Sequence, residues 1–172
     1  MSGLPGLRGG EHIGLTVPDL DAAEHFLVGV LGAVMVFDGG AISDPDTMVR
    51  VLGANPGDST RYRFYRLGHG LNLEVFEYRT ASPGIHPGNH QAGGHHIALY
   101  VDDIAPAVAH LRAHGIAVAD PEYIMAGPAT GSHWVYFKTS WGLQMELVSY
   151  PEGKAYEADA TVRLWHPRFP ER

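Results

Sequence analysis

Apolar and polar residues alternate across residues 12–17, with Ile13, Leu15 and Val17 on one side and His12, Gly14 and Thr16 on the other, the period of a half-buried strand. The period then changes. From Asp19 onward Leu20, Ala23, Leu27 and Leu31 recur at helical intervals, Asp19 is a good N-cap, and Gly32 stands where a helix-ending glycine belongs. The same design returns in residues 96–101, where Ile97, Leu99 and Val101 alternate with His96, Ala98 and Tyr100. There Asp103 caps, Ile104, Val108 and Leu111 form the inward stripe, Pro106 falls in the first turn where it is tolerated, and Gly115 ends the helix.

The recurrence is an internal repeat. Residues 12–17 align with 96–101 at an offset of 84, and residues 70–75 align with 142–147 at an offset of 72, so the first copy is the longer one. After each helix further strands are expected, near 33–38, 48–54, 62–67 and 71–77 in the first copy and near 116–120, 133–138 and 143–149 in the second. The extra length of the first copy falls in turn-rich stretches at 39–45 and 55–59. The predicted fold is α+β, built from two βαβββ modules over 10–79 and 95–150. Residues 80–94, with Pro83, Gly84, Pro87, Gly88, Gly93 and Gly94, have the composition of a linker, and a tail over 151–172 carries Tyr156, Leu164, Trp165 and Phe169 for docking.

Composition narrows the chemistry. The 172 residues include no cysteine, which excludes disulfide scaffolds, zinc-thiolate sites, iron–sulfur clusters and thiol catalysis. The formal charge is −7 and the basic residues are scattered, so no stripe exists to neutralise a nucleic-acid backbone. No apolar run approaches the ~20 residues needed to cross a bilayer, and the opening lacks the basic and apolar blocks of a signal peptide. A cytoplasmic protein with a small-molecule substrate, and neither nucleic acid nor membrane as partner, is expected. The eleven histidines are the unusual feature, because imidazole is the commonest neutral metal ligand.

Strand parity selects among them. His12 and His96 lie on the faces opposite the helix-packing residues of their strands, and Glu74 and Glu146 lie opposite the apolar pairs Leu73/Val75 and Met145/Leu147. Each copy thus presents one imidazole and one carboxylate from the face away from its helix. If those faces curl into a trough, His12, Glu74, His96 and Glu146 form a mixed nitrogen and oxygen set that suits one divalent ion among Zn, Fe(II), Mn, Ni and Co. His95 competes with His96, and Glu77 with Glu74, but each has the wrong parity.

These residues carry a resemblance. The paired strand–helix–three-strand units, with His12 and Glu74 answered by His96 and Glu146, resemble the vicinal oxygen chelate superfamily over residues 10–150. That superfamily includes glyoxalase I, methylmalonyl-CoA epimerase, fosfomycin-resistance enzymes, bleomycin-binding proteins and extradiol dioxygenases. Residues 136–147 are similar to the family's closing hairpin, whose last strand brings in a metal carboxylate. The resemblance implies mixed sheets curled into an open half-barrel around the metal, which holds two adjacent substrate oxygens.

It also implies a choice of reaction. Retention of all four donor positions argues against a metal-free binding protein. Glu74 favours glyoxalase-type isomerase or lyase chemistry, in which the metal polarises a carbonyl and Glu146 or Glu74 moves the proton. Tyr136, ten residues before Glu146, resembles the active-site tyrosine of extradiol dioxygenases, and Tyr100, Trp134, Phe64 and Phe76 would line a trough fit for an aromatic ring. An Fe(II)-dependent dioxygenase acting on a catechol is therefore the alternative, although none of His86, His90 and His133 has the spacing of its additional histidine. Arg63, Arg66 and Lys138 are the only basic residues placed to clamp a thioester substrate, and Tyr65 and Asn72 rank lower as site residues. Exposed strand edges call for a partner, so the expected assembly is a homodimer or a tightly fused two-unit barrel.

Overall fold

A computed structural model describes residues 4–5, 7–80, 84 and 87–171. Pro83 and His86 of the predicted linker lie outside the described residues. The chain divides into two units, Met1–Pro83 and Gly84–Arg172.

The first unit opens with strand β1 (His12–Thr16), followed by helix α1 (Leu20–Glu24), which continues as a π-helical stretch over His25–Val30. Asp19 caps the helix, accepting from the backbone N–H of Asp21 and Ala22 at 2.9 Å each. Gly32 takes the left-handed conformation, φ 73°, that closes the helix. Strands β2 (Val34–Ile42), β3 (Ser59–Arg66) and β4 (Asn72–Arg79) complete an open mixed sheet in the order β1-β4-β3-β2, with β1 and β4 parallel and the other pairs antiparallel. The helix packs on one face of this sheet over Leu20, Ala23, Leu27, Tyr65, Leu73 and Val75, all buried.

The second unit repeats the plan with β5 (His96–Tyr100), α2 (Ile104–Ala113), β6 (Glu122–Tyr123), β7 (His133–Lys138) and β8 (Gln144–Ser149), in the order β5-β8-β7-β6. Ile104, Val108 and Leu111 of α2 are buried, as are Ile97, Met145 and Leu147 of the sheet. The two halves thus share one topology, with the parallel pair at one side and an edge strand at the other.

Two predicted strands do not form. Residues 48–54 were expected to be extended, but Thr47–Val51 makes a π-helical turn. Asp44 accepts from both the backbone N–H and the hydroxyl of Thr47, Arg50 pairs with Asp46 four residues earlier, and only Met48 is buried. Local capping and one anchoring side chain outweigh the β-branched content of this segment. In residues 116–120 only Val118 forms a bridge, to Phe137, and regular pairing begins at β6. Arg112 covers this stretch, donating to the carbonyls of Val118 and Ala119 and to Asp120, so backbone acceptors that a strand would use are already bound. Residues 39–42, expected in a turn, extend β2 instead, through two register shifts.

The tail docks on the second unit. A 3₁₀ turn over Ala155–Ala158 follows hydrogen bonds from Ala155 and Tyr156 N–H to the carbonyls of Thr130 and Pro128. His166 packs against both Tyr100 and Tyr150, with ring centroids 4.5 and 4.8 Å away, and the two tyrosines meet each other at 5.1 Å, while Lys154 lies 4.1 Å from the centre of the Tyr150 ring.

Candidate metal centre

In the first unit β1 and β4 run parallel in a register that sets Gly14 beside Glu74 and His12 beside Asn72. Gly14 has no side chain to fill the space next to Glu74, and the His12 ring reaches across: its Nε2 lies 3.1 Å from Oε2 of Glu74. The second unit makes the same arrangement from different residues. Ala98 stands beside Glu146, His96 beside Gln144, and His96 Nε2 is again 3.1 Å from Glu146 Oε2. Both pairs are partly open to solvent, the histidine side chains 36% and 34% exposed and the carboxylates 21% and 15%. Within each unit the described residues assemble a pair of donors, not a group of three or more.

Each histidine has a second partner on its other ring nitrogen. Glu11 closes on Nδ1 of His12, and Oδ1 of Asn89 is 3.2 Å from Nδ1 of His96. A carboxylate or an amide oxygen can only accept, so both nitrogens of each ring face an acceptor. A neutral imidazole has one proton for the two, and one of its lone pairs is left opposing an acceptor oxygen. A proton relieves this, and so does a cation. The Glu11 carboxylate, aided by Glu74, raises His12 above the ordinary imidazole value. Burial raises Glu146 above the ordinary carboxylate range, against the pull of His96. The donor set therefore fits a divalent ion on chemical grounds: imidazole nitrogens with the second nitrogen anchored, each beside a part-exposed carboxylate.

An aromatic ring backs each histidine. Phe64, opposite Glu74, meets His12 edge to face at 5.4 Å, and Tyr136, opposite Glu146, meets His96 in the same way at 5.2 Å. Burial, then the Glu146 charge, raises the Tyr136 phenol above its ordinary value. Trp134 stacks edge-on against Tyr136 at 5.0 Å, while Tyr62 and Phe76 extend the aromatic face of the first unit.

Other sequence candidates have structural roles. Arg63 is not a substrate clamp: it lies on the helix side of β3, paired with Asp21, Glu24 and Asp38. The Tyr65 hydroxyl, wholly buried, donates to Glu24, and burial pushes the phenol upward. Glu77, on the face expected from its parity, accepts from Leu20 N–H and pairs with Arg61. Asn72 holds Glu11, donating to its backbone carbonyl at 2.9 Å. His133 packs against Tyr123, and Arg66 donates to the carbonyl of Gly68. Sequence reading missed Glu11 and Asn89. Glu11 directly precedes a candidate ligand, the one signal available, whereas Asn89 is brought to His96 by a turn.

The chain is 41% identical over 170 residues to a 2-epi-5-epi-valiolone epimerase from Actinomyces sp, covering 96% of this chain and 92% of that protein. In fold it is similar to a glyoxalase family protein from Bacillus cereus, at a TM-score of 0.66 and 17% identity over 86% of this chain and 98% of the other. It is also similar to the fosfomycin resistance protein FosX from Listeria monocytogenes, whose mutant was crystallised with Mn(II) and 1S,2S-dihydroxypropylphosphonic acid. There the TM-score is 0.57 and the identity 18%, over 88% of this chain and 98% of that one. The family model described as glyoxalase/bleomycin resistance protein/dioxygenase superfamily matches residues 11–137, a span that takes in His12, Glu74 and His96 and stops before Glu146. The chain belongs to this superfamily, the vicinal oxygen chelate fold.

Proposed function

We propose that the protein is a divalent-metal-dependent epimerase that inverts a stereocentre beside a ketone, with a polyhydroxy ketone of the 2-epi-5-epi-valiolone type as substrate. The observation that carries this reading is that His12–Glu74 and His96–Glu146 repeat one geometry in a chain 41% identical to an epimerase. His12, Glu74, His96 and Glu146 are the residues that would hold the ion. Bound there, a divalent cation supplies positive charge that acidifies the carbon next to the carbonyl.

The chain's own groups do the rest. Glu146 is the base: it is the more enclosed carboxylate of the two, 15% exposed against 21% for Glu74. It takes the proton from the carbon, and the C–H electron pair moves into the enediolate. Inversion requires a proton to return on the opposite face, and Glu74 is the second carboxylate able to carry one. No electrons are gained or lost, so no oxidant is required. Tyr136, beside Glu146 in the sheet, donates a hydrogen bond to a substrate oxygen.

The assembly is a homodimer. Strand β2 is the edge of the first sheet, and its Val34, Met35, Val36 and Phe37 are all exposed, between 42% and 63%. Sedimentation reads this directly: a species of twice the chain mass is expected, and a monomer at all concentrations would refute it.

The function is tested in deuterated water with Mn(II), Co(II) or Zn(II) and 2-epi-5-epi-valiolone. Epimerisation with one solvent deuterium at the inverted carbon, and no oxygen uptake, is expected. Oxygen consumption and ring opening with a catechol under Fe(II), without deuterium uptake by any ketone tested, would replace the epimerase with the dioxygenase that Tyr136 beside His96 also accommodates.

A further inference from the structure

We propose that Glu11 and Asn89 are positioning residues that hold the His12 and His96 imidazoles with the proton on Nδ1 and Nε2 turned to the carboxylate of the same unit. The inference deepens the metal reading above and rests on it: an ion held at Nε2 leaves the ring proton to Nδ1, where Glu11 and Asn89 stand to accept it.

The two supports reach equivalent nitrogens by unrelated routes. In the first unit the partner is the preceding residue in the chain. Glu11 is fixed in turn by Asn72, whose Nδ2 donates to the Glu11 carbonyl at 2.9 Å and to Glu11 Oε1 at 3.3 Å. Asn72 is the register neighbour of His12, so support and ligand share one pair of strands. In the second unit this route is closed. The repeat puts His95 at the position of Glu11, and the His95 ring turns to the Gly93 carbonyl. The support comes instead from Asn89 in the turn that leads into β5.

That turn is tightly bound. Gln91 N–H donates to the Gly88 carbonyl at 2.9 Å, Gly94 N–H to the Gln91 carbonyl at 2.8 Å, and Gly88 N–H to the Gln91 side-chain oxygen at 2.6 Å. A Cβ on Gly94 would lie 2.1 Å from the Gly88 carbonyl oxygen, so only glycine lets the turn close around Asn89. The repeat did not supply an acceptor at this position, and a separate loop does so with its own glycine requirement. This duplication of geometry without duplication of sequence points to a need to fix the ring. An acceptor on one imidazole nitrogen sets the tautomer and the ring orientation, and loss of such a partner lowers metal affinity by about 10–100-fold.

The test measures two quantities on the full chain: the Nδ1–H resonances of the protein loaded with diamagnetic Zn(II), by long-range proton–nitrogen NMR, and Mn(II) affinity by calorimetry. In Glu11→Ala the His12 Nδ1–H resonance should disappear and Mn(II) affinity should fall by about 10-fold or more. Asn89→Ala should do the same to His96. Glu11→Gln and Asn89→Asp, which keep an acceptor, should restore both. Gly94→Ala should reproduce the Asn89→Ala signature at His96 and leave His12 unchanged. Alanine variants that retain both resonances and bind Mn(II) within about twofold of the parent would overturn the proposal. A parent chain that binds neither Zn(II) nor Mn(II) would refute the metal reading and the positioning role with it, whereas metal binding that the alanine variants leave unchanged would refute the positioning role alone.

Discussion

Phe64 and Tyr136 occupy matching places in the two units, each opposite the glutamate of its sheet and each edge to face with the histidine, at interplanar angles of 79° and 75°. They differ by one hydroxyl. The packing function is therefore common to both, and anything particular to Tyr136 resides in its oxygen. Tyr136→Phe makes the second unit like the first without disturbing the ring contact. We expect unchanged thermal stability and unchanged metal content, with kcat/KM for the epimerisation lowered by about 10-fold, the worth of one hydrogen bond of about 1.5 kcal/mol. A wild-type rate in this variant would reduce Tyr136 to a packing residue.

The lone pairs left opposing acceptor oxygens make a second forecast. Where a proton relieves the contact in the metal-free protein, a cation must displace it, so metal binding should release protons. Calorimetric titration of Mn(II) in buffers of different ionisation enthalpy reads the number released. His12→Ala and His96→Ala should each lower metal content sharply. Both side chains are about one-third exposed, so neither change should alter the fold, and circular dichroism should match the parent. Full metal stoichiometry in both variants would dismiss the ligand assignment.

The donor face was legible because period two is unforgiving. Leu73, Val75, Met145 and Leu147 are all at most 3% exposed, and their burial dictates that Glu74 and Glu146 point the other way. The Asp19 and Asp103 caps were readable for a related reason, since each rests on contacts within three residues. Features that depend on distant partners were not. Thr47–Val51 has the β-branched residues of a strand, and only the Asp44 cap and the buried Met48 side chain decide against it. Asn89 lies seven residues before His96, at no spacing that chemistry prefers, until the Gly88–Gly94 turn folds it back. The tail advertised its aromatic residues, but it is His166 that makes the contact with Tyr100 and Tyr150.

Gly39 meets the ring of Tyr62 more closely than any side chain would permit. A Cβ there would lie 2.0 Å from the Tyr62 Cζ atom, in the strand that pairs beside it. Tyr62 in turn stacks on Phe76 at 5.5 Å, which opposes its retreat on that side. Gly39→Ala should destabilise the protein by about 1–3 kcal/mol, the usual cost of overpacking. Tyr62→Ala in the same chain should recover part of that loss, and a denaturant double-mutant cycle measures the coupling. Strict additivity of the two changes would show that the ring does not rest on Gly39.

Acid should weaken the first unit through Glu77. This carboxylate is only 14% exposed at its side chain, joins Arg61 at 2.8 Å and accepts from Leu20 N–H, the first residue of α1, at 2.7 Å. The Arg61 guanidinium chiefly holds Glu77 below the ordinary carboxylate range against the opposing effect of burial, with a lesser contribution from the Leu20 N–H. A group lowered in the folded state is ionised there while the unfolded chain already binds its proton. Its contribution is therefore complete above the unfolded value of about 4.3 and is lost as pH falls through the lower, folded value. Glu77→Gln keeps an acceptor but cannot titrate. The gap in melting temperature between parent and Glu77→Gln should be largest at neutral pH and close progressively below about pH 4.3. Glu77→Ala also removes the acceptor for Leu20 and should cost a further 1–3 kcal/mol or so at every pH, about the penalty for stranding a part-buried donor. A gap between parent and Glu77→Gln that stays constant through the acid range would place the Glu77–Arg61 pair outside the stability of the fold.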